Sequence, residues 1–178
     1  MRIISGAYKG KRLHPPKNLP VRPTTDFAKE GLFNVLQNRL YFEDIRVLDL
    51  FAGTGSITLE FASRGCLSVK SVDLNYRCVD FIKKTVQSLK FDNVMVYKSN
   101  VFNFLKSNKE SFDLVFADPP YDLDEIETIP DAVFANDKIA EDGLLIVEHS
   151  RNTDFSKHEN FVETRKYGNV NFSFFKKL

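Results

Sequence analysis

Arg46-Val47-Leu48-Asp49-Leu50-Phe51-Ala52-Gly53-Thr54-Gly55, residues 46–55, is the stretch that decides the fold. Val47–Phe51 is apolar except for Asp49 and reads as a strand buried on both faces. Gly53 and Gly55 then let the chain turn sharply and let a ligand approach the backbone closely. Ser56–Ser63 follows as a helix ended by Gly65. A helix that starts behind such a turn points its free N–H groups at whatever binds there.

The same alternation runs on toward the C-terminus. Ser68–Val72, Val94–Tyr97, Phe112–Ala117 and Leu144–Val147 read as strands. Tyr76–Leu89, Val101–Lys106 and the mostly helical Ile126–Lys138, with Pro130 near its first turn, separate them. Phe161–Lys166 and Val170–Lys176, around Gly168-Asn169, read as an antiparallel hairpin. Alternating strands and helices imply right-handed crossovers. The expected fold class is α/β and Rossmann-like: a doubly wound, mostly parallel seven-stranded sheet, helices on both faces, closed by that hairpin.

Toward the N-terminus the texture changes. Arg2–Ile4 and Lys9–Leu13 flank Ser5-Gly6-Ala7-Tyr8 as a small β-hairpin, and Pro15-Pro16 and Pro20 break regular structure. Thr24-Thr25-Asp26 offers N-caps for a helix whose Ala28, Leu32, Val35, Leu36 and Leu40 share one face. The expected division is an arm, residues 1–25, and a catalytic domain, residues 26–178.

Charge sharpens that division. The net charge is +1, yet residues 1–25 carry Arg2, Lys9, Lys11, Arg12, Lys17, Arg22 and no acid, while the remainder holds 19 basic and 24 acidic residues. A basic arm on an acidic body points to a polyanion gripped at one end. The chain is too near neutral to coat nucleic acid indiscriminately. No apolar run approaches the roughly 20 residues that span a bilayer, and the start, MRIISGAYKGKR, lacks a secretory apolar segment. Cys66 and Cys78 have no metal spacing and read as thiols in a reducing cytoplasm. His14, His149 and His158 form no metal or triad pattern, so no metal is expected.

The glycine loop is not a dinucleotide fingerprint, because Thr58 stands where a third glycine would be. Asp49, ahead of the loop, suits a cation better than a phosphate. S-adenosylmethionine has no phosphate and carries a sulfonium and an amino-acid end. Asp-x-x-x-Gly-x-Gly resembles the cofactor loop of class I methyltransferases. The expected cofactor contacts are Asp49, Phe51, Ala52, Gly53, Thr54 and Gly55, with Asp73 ending the second strand as acceptor for ribose hydroxyls and Leu74 beside it. Asn100 and Val101, after the third strand, reach the adenine, and Asn100 equally suits a helix N-cap.

Asp118-Pro119-Pro120-Tyr121 follows the fourth strand, expected beside the first. An exocyclic base amine is a poor nucleophile because its lone pair is delocalised into the ring. Hydrogen bonds from both amine hydrogens, to the Asp118 carboxylate and the Pro119 carbonyl, favour a pyramidal nitrogen. Pro120 stiffens the turn, and Tyr121 stacks on the base. Catalysis then rests on positioning and preorganised acceptors.

D-P-P-Y resembles motif IV of amino-methyltransferases. The arm adds Arg2-Ile3-Ile4-Ser5-Gly6, Lys9-Gly10-Lys11, Leu13, Arg22-Pro23-Thr24-Thr25-Asp26, Lys29-Glu30 and Leu32-Phe33-Asn34. With these the chain resembles the bacterial small-subunit ribosomal RNA guanine-N2 methyltransferases, the RsmD family, from Arg2 through Val147. The resemblance implies methyl transfer to N2 of one guanine in 16S ribosomal RNA, within an assembling small subunit; the residues leave the oligomeric state open, with a monomer expected, and the thiols fit a cytoplasmic enzyme. Arg2, Lys9, Lys11, Arg12 and Arg22 would hold the RNA backbone, with Arg22, Thr24 and Thr25 in the segment over the site. Three positions depart from the family. Phe27 stands where Arg is usual, which removes an expected RNA or cofactor contact, Ser5 stands for Gly, and Asp73 for Glu.

Other readings stay open on the residues alone. D-P-P-Y also suits a DNA adenine-N6 methyltransferase, although 178 residues leave little room for a target-recognition domain. A glutamine amide methyltransferase would begin its motif with Asn rather than Asp118. A non-catalytic cofactor- or RNA-binding module and a nicotinamide oxidoreductase complete the alternatives. Glu148 and His149, after the fifth strand, lie near the site and could touch substrate, although a surface role is the expectation.

Overall fold

A computed structural model describes residues 1–17, 19, 24–120, 123 and 126–177. Seven strands form one sheet in the order β3-β2-β1-β4-β5-β7-β6. They are β1 (Arg46–Leu50), β2 (Ser68–Asp73), β3 (Val94–Lys98), β4 (Phe112–Ala117), β5 (Ile139–His149), β6 (Phe161–Tyr167) and β7 (Val170–Lys176). The first five run parallel, and β7 lies antiparallel between β5 and β6. This is the doubly wound sheet with a C-terminal hairpin that the alternation predicts.

Helices cover both faces. α1 (Asp26–Leu36) and α2 (Ser56–Ser63) lie on one side. Their Ala28, Leu32, Phe33, Ile57 and Phe61 pack on Val47, Leu114, Phe116 and Ile146. α4 (Val101–Ser107) and α5 (Ile129–Ala135) lie on the other, where Phe104, Leu105, Ile129 and Val133 meet Leu48, Val115, Leu145 and Val147. α3 (Tyr76–Ser88) buries Cys78, Val79 and Ile82. Each fully buried side chain of this size contributes about 1.5–3 kcal/mol. Both cysteines are free and buried.

Some boundaries differ from expectation. β5 begins at Ile139, well before Leu144, and the register against β4 shifts between its pairings Phe112–Ile139 and Leu114–Leu144. The helix expected over residues 126–138 splits into a 3₁₀ turn, Ile126–Thr128, and α5. It ends at Ala135, and Asp137 beyond it takes φ +51°, outside the right-handed region.

The N-terminal segment is a compact hairpin docked on α2. Arg2 bridges Arg12, Ile3 N donates to Lys11 O at 3.0 Å, and Gly10 N donates to Ile3 O at 2.8 Å. Ile3 is buried with Leu59, Ala62, Leu89 and Phe91. Glu60, fully buried, accepts from Ile4 N at 2.8 Å and Ser5 N at 3.0 Å, and Ala7 N donates to Ser63 O at 2.7 Å. Gly6 is needed at this contact: its φ is +82°, and a Cβ there would lie 1.8 Å from Ser63 O. Buried Lys29 completes the joint. Its Nζ donates to Arg2 O at 2.6 Å and Ser56 Oγ at 3.0 Å, and sits 3.7 Å from Glu60. Losing one partner of such a pair costs about 3–5 kcal/mol, because the other charge stays buried.

Candidate active site

The carboxyl ends of β1, β2, β4 and β5 lie side by side, since Leu50 pairs with Val72 and Ala117, and Ala117 with Val147. Ligands of open α/β sheets sit beyond that edge, where the strand order reverses. Here β1 is flanked by β2 and β4, so the crevice opens above the 51–55 loop.

The loop is held in a sharp, uncommon conformation. Phe51 has φ +59°, Gly53 +55° and Gly55 +73°. For a bulky side chain such as Phe51 this is an outlier of the sort that collects at functional sites. Gly55 caps α2, and a Cβ there would lie 2.8 Å from Ile82 Cγ1. Thr54 is buried. Ala52 N donates to Val72 O at 3.0 Å, which ties the turn to β2.

Asp49, the penultimate residue of β1, is 1 % exposed. Thr58 Oγ1 donates to its Oδ2 at 2.5 Å and lies 2.9 Å from Ser71 Oγ. Burial pushes the Asp49 carboxyl up to about 7, against the lowering effect of the Thr58 bonds, and the charge of Asp73 adds to the rise. A carboxylate under that strain gains most from a cationic neighbour. Thr58, which occupies the place of the missing third glycine, thus orients the loop's acid; its place in an apolar helix gave no sign of that role.

Asp73, half-buried at the end of β2, accepts from Gly53 N at 2.8 Å and Asn75 N at 2.7 Å. Desolvation raises its carboxyl, and those two bonds moderate the rise. Both oxygens keep a lone pair for a ribose hydroxyl. Leu74 is 62 % exposed beside it. Asn100 caps α4 by accepting from Asn103 N at 3.1 Å, and Val101 is buried.

Asp118 N donates to Leu50 O at 3.3 Å, which sets the residue against the start of the glycine loop. Desolvation, then the charges of Glu148 and Asp49, raise the Asp118 carboxyl well above the usual range, and a hydrogen bond from Thr24 opposes this. Pro119 is buried, Pro120 is exposed, and Pro120 O accepts from Leu123 N at 3.0 Å. Tyr121 and Arg22 lie outside the described residues.

Two residues expected at the surface are interior. Glu148 is 3 % and His149 2 % exposed, because β5 runs on to His149, paired with β7 beyond the end of β4. Glu148 Oε2 accepts from Thr24 Oγ1 at 2.9 Å. His149 faces the other way, edge-on to Phe155. Its Nδ1 donates to Ser150 O at 2.8 Å, so its Nε2 accepts from Ser173 Oγ at 2.8 Å. Burial lowers its pKa and keeps it neutral.

The arm meets the site along a groove of about 490 Å³ lined by Met1, Arg2, Arg12, Leu13, His14, Thr24, Thr25 and Asp26. Lys9, Lys11 and Arg12 are exposed. Arg2 is engaged within the protein, 3.4 Å from Asp26 and 3.1 Å from Glu30. Thr25 caps α1 by accepting from Ala28 N at 3.2 Å. Phe27 is 67 % exposed and packs edge-on against Tyr167. Among the described residues, no His, Cys, Asp and Glu cluster could hold a metal, and no helix is long and apolar enough to cross a membrane.

The residues present fit S-adenosylmethionine: a buried acid, a second acid on the neighbouring strand, and a glycine turn without basic side chains between them. Comparison with known proteins agrees. The family described as "Conserved hypothetical protein 95" matches residues 1–176. "Putative rRNA methyltransferase YlbH" of Bacillus subtilis is 32 % identical over 184 residues, covering 99 % of each chain. "Ribosomal RNA small subunit methyltransferase D" of Escherichia coli K12 is 32 % identical over 148 residues, covering 83 % of this chain and 74 % of that one. The solved structure of "Putative methyltransferase yhhF" from Escherichia coli superposes with a TM-score of 0.86 at 28 % identity, covering 98 % of this chain and 96 % of that chain. The chain therefore belongs to the RsmD family of S-adenosylmethionine-dependent ribosomal RNA methyltransferases.

Proposed function

We propose that the protein methylates the exocyclic N2 amine of one guanine in 16S ribosomal RNA, in the cytoplasm, as a monomer acting on an assembling small subunit. The observation that carries this reading is the juncture of Asp118 with the loop that begins at Leu50, where Asp118 N bonds Leu50 O. An amine held by Asp118 then lies against the cofactor crevice.

S-adenosylmethionine supplies an electrophilic methyl group on a sulfonium. Asp49 holds the cationic amino-acid end, Asp73 the ribose, and Asn100 with Val101 the adenine, while Gly53 and Gly55 leave room for close approach. The target base leaves its stack to enter. Asp118 and the Pro119 carbonyl accept the two amine hydrogens, which frees the nitrogen lone pair for in-line attack. The N–C bond forms as the S–C bond breaks, and the methylated amine then releases one proton to solvent. Tyr121 stacks on the base. The arm, residues 1–25, acts as an RNA grip: Lys9, Lys11 and Arg12 meet phosphates, Arg22, Thr24 and Thr25 line the path to the site, and Arg2 fixes the grip to α1.

The test is transfer of labelled methyl to small subunits, naked 16S ribosomal RNA and duplex DNA, with nucleoside analysis of the products. N2-methylguanosine at a single position is expected. N6-methyladenine in DNA would overturn the assignment.

A further inference from the structure

The far end of the arm leads to a second cationic surface. The hairpin lies along α2. Lys29 Nζ joins Arg2 O to Ser56 at the first residue of that helix, and Ala7 N meets Ser63 O at its last. Beyond this point Tyr8 reaches the end of α3. Its hydroxyl donates to Leu89 O at 2.6 Å, and its ring stands edge-on to Phe91 at 5.1 Å. Lys9 follows Tyr8, and Lys90 stands between Leu89 and Phe91, so two exposed cations flank one joint.

Lys90 has an uncommon backbone. α3 ends in a Schellman motif, in which Phe91 N donates to Val86 O at 3.0 Å and Lys90 N to Gln87 O at 3.2 Å. The motif puts Lys90 at φ +53°, where glycine is the usual residue. A lysine kept in a strained place calls for a reason. Lys90 lines a cleft of about 450 Å³ between α3 and β3, together with Lys83 and Gln87. Their spacing, i, i+4 and i+7, sets three donors in a row on one helix face. Asp92 is the one acid in the lining. Among the described residues neither Lys83 nor Lys90 has an ion-pair partner, whereas Lys84 between them is held by Asp80 at 2.8 Å.

Unpaired cations on an acidic body, continuous with a basic arm, suit a polyanion. Phosphate oxygens accept from ammonium and amide groups alike. We propose that this cleft holds the phosphate backbone of the ribosomal RNA through Lys83, Gln87 and Lys90, so that the arm's grip extends past Tyr8 onto α3. This rests on the ribosomal RNA reading given above and adds a second contact surface to it. The cleft is separate from the methyl-transfer site. It reaches Val94, at the amino end of β3, whereas the site lies beyond the carboxyl ends of the parallel strands. The five residues of β3 set those ends roughly 15 Å apart.

The test is equilibrium binding to naked 16S ribosomal RNA and to small subunits across a salt series, without turnover. Three proteins are compared: the wild type, the double variant Lys83→Gln with Lys90→Gly, and the double variant Lys106→Gln with Lys109→Gln. The last pair removes two exposed lysines around the end of α4, on the other face of the sheet. Lys90→Gly suits the left-handed backbone, so a lysine that served only the helix end would leave RNA affinity unchanged. The cleft variant should bind both RNA targets about 3- to 30-fold more weakly. Its slope of log K against log salt should flatten by about 1–2, while melting temperature and cofactor affinity stay near wild type. Lys83→Arg with Lys90→Arg should restore binding, and the α4 variant should bind as the wild type does. Unchanged affinity and slope in the cleft variant would overturn the contact. An equal loss in the α4 variant would overturn it too, since net charge alone would then explain both. Weakening on small subunits but not on naked RNA would assign the cleft to a ribosomal protein instead. N2-methylguanosine in the wild-type product is scored separately, so failure of the reaction reading is seen apart from failure of the cleft.

Discussion

Replacing Asp49 by Asn should stabilise the cofactor-free protein and weaken the cofactor. The folded protein pushes the Asp49 carboxyl up to about 7 from 3.8. A raised acid favours its protonated form in the folded state. That advantage is complete below the unfolded pKa and is lost as pH rises toward 7. Above pH 7 the ionised folded state therefore carries a cost of about 4 kcal/mol, from three units at about 1.4 kcal/mol each. Asn never ionises and keeps an oxygen for Thr58. Allowing about 1 kcal/mol for its weaker, neutral hydrogen bond, the gain at pH 8 is about 3 kcal/mol. For a chain of 178 residues that is roughly 6–12 °C in melting temperature. At pH 5 most of the gain should vanish. The same change removes a charge-assisted contact to the cofactor's amino group, about 1.5–3 kcal/mol, or roughly 10- to 150-fold in Kd. Thermal melts from pH 5 to 8 and calorimetric titration with S-adenosylmethionine measure both. An Asn variant that melts below the wild type at pH 8, or binds the cofactor as tightly, would show that Asp49 is not a strained acid awaiting a cation.

Asp118→Ala should lower methyl transfer by about 100-fold or more with cofactor Kd within about threefold, as read by labelled transfer beside calorimetry. Asp73→Ala leaves Gly53 N without its acceptor and should weaken the cofactor by about 5- to 150-fold, from 1–3 kcal/mol; an unchanged Kd would refute that role. Reversing Lys9, Lys11 and Arg12 to Glu should weaken RNA binding and flatten the log K against log salt slope by roughly 2–3, without altering cofactor affinity. Gly6→Ala should lift the arm from Ser63 and lower the melting temperature and RNA affinity together; an unperturbed melt would contradict the 1.8 Å approach at that position.

Much of the architecture was legible because buried parallel strands are short apolar runs between glycine turns and amphipathic helices. The 46–55 stretch named its own strand, turn and helix, and Asp49, Asp73 and Asp118 all fall at one edge of the sheet for that reason. Glu148 and His149 were misplaced because charge reads as exposure. Nothing in the residues around Val147 says that β5 continues beside β7, or that Thr24, remote in sequence, supplies a donor. The docking of the arm was hidden for the same reason. Glu60 resembles a solvent-facing helix residue until Ile4 N and Ser5 N are seen on its carboxylate. Arg2 counted as a free cation until Asp26 and Glu30 appeared beside it. Long-range polar pairing leaves no periodicity, so local patterns cannot reveal it.

Every residue of helix α2 is buried. Ile57 and Phe61 serve one core, Leu59 and Ala62 another, Glu60 and Ser63 fasten the arm, and Thr58 steadies Asp49. Separate obligations have been loaded onto two turns of chain, with no position left over for neutral drift. In a saturation mutagenesis scan this helix should be the least permissive stretch of the protein. Substitutions there should fail for different reasons at successive residues, and few should be rescued by a general gain in stability.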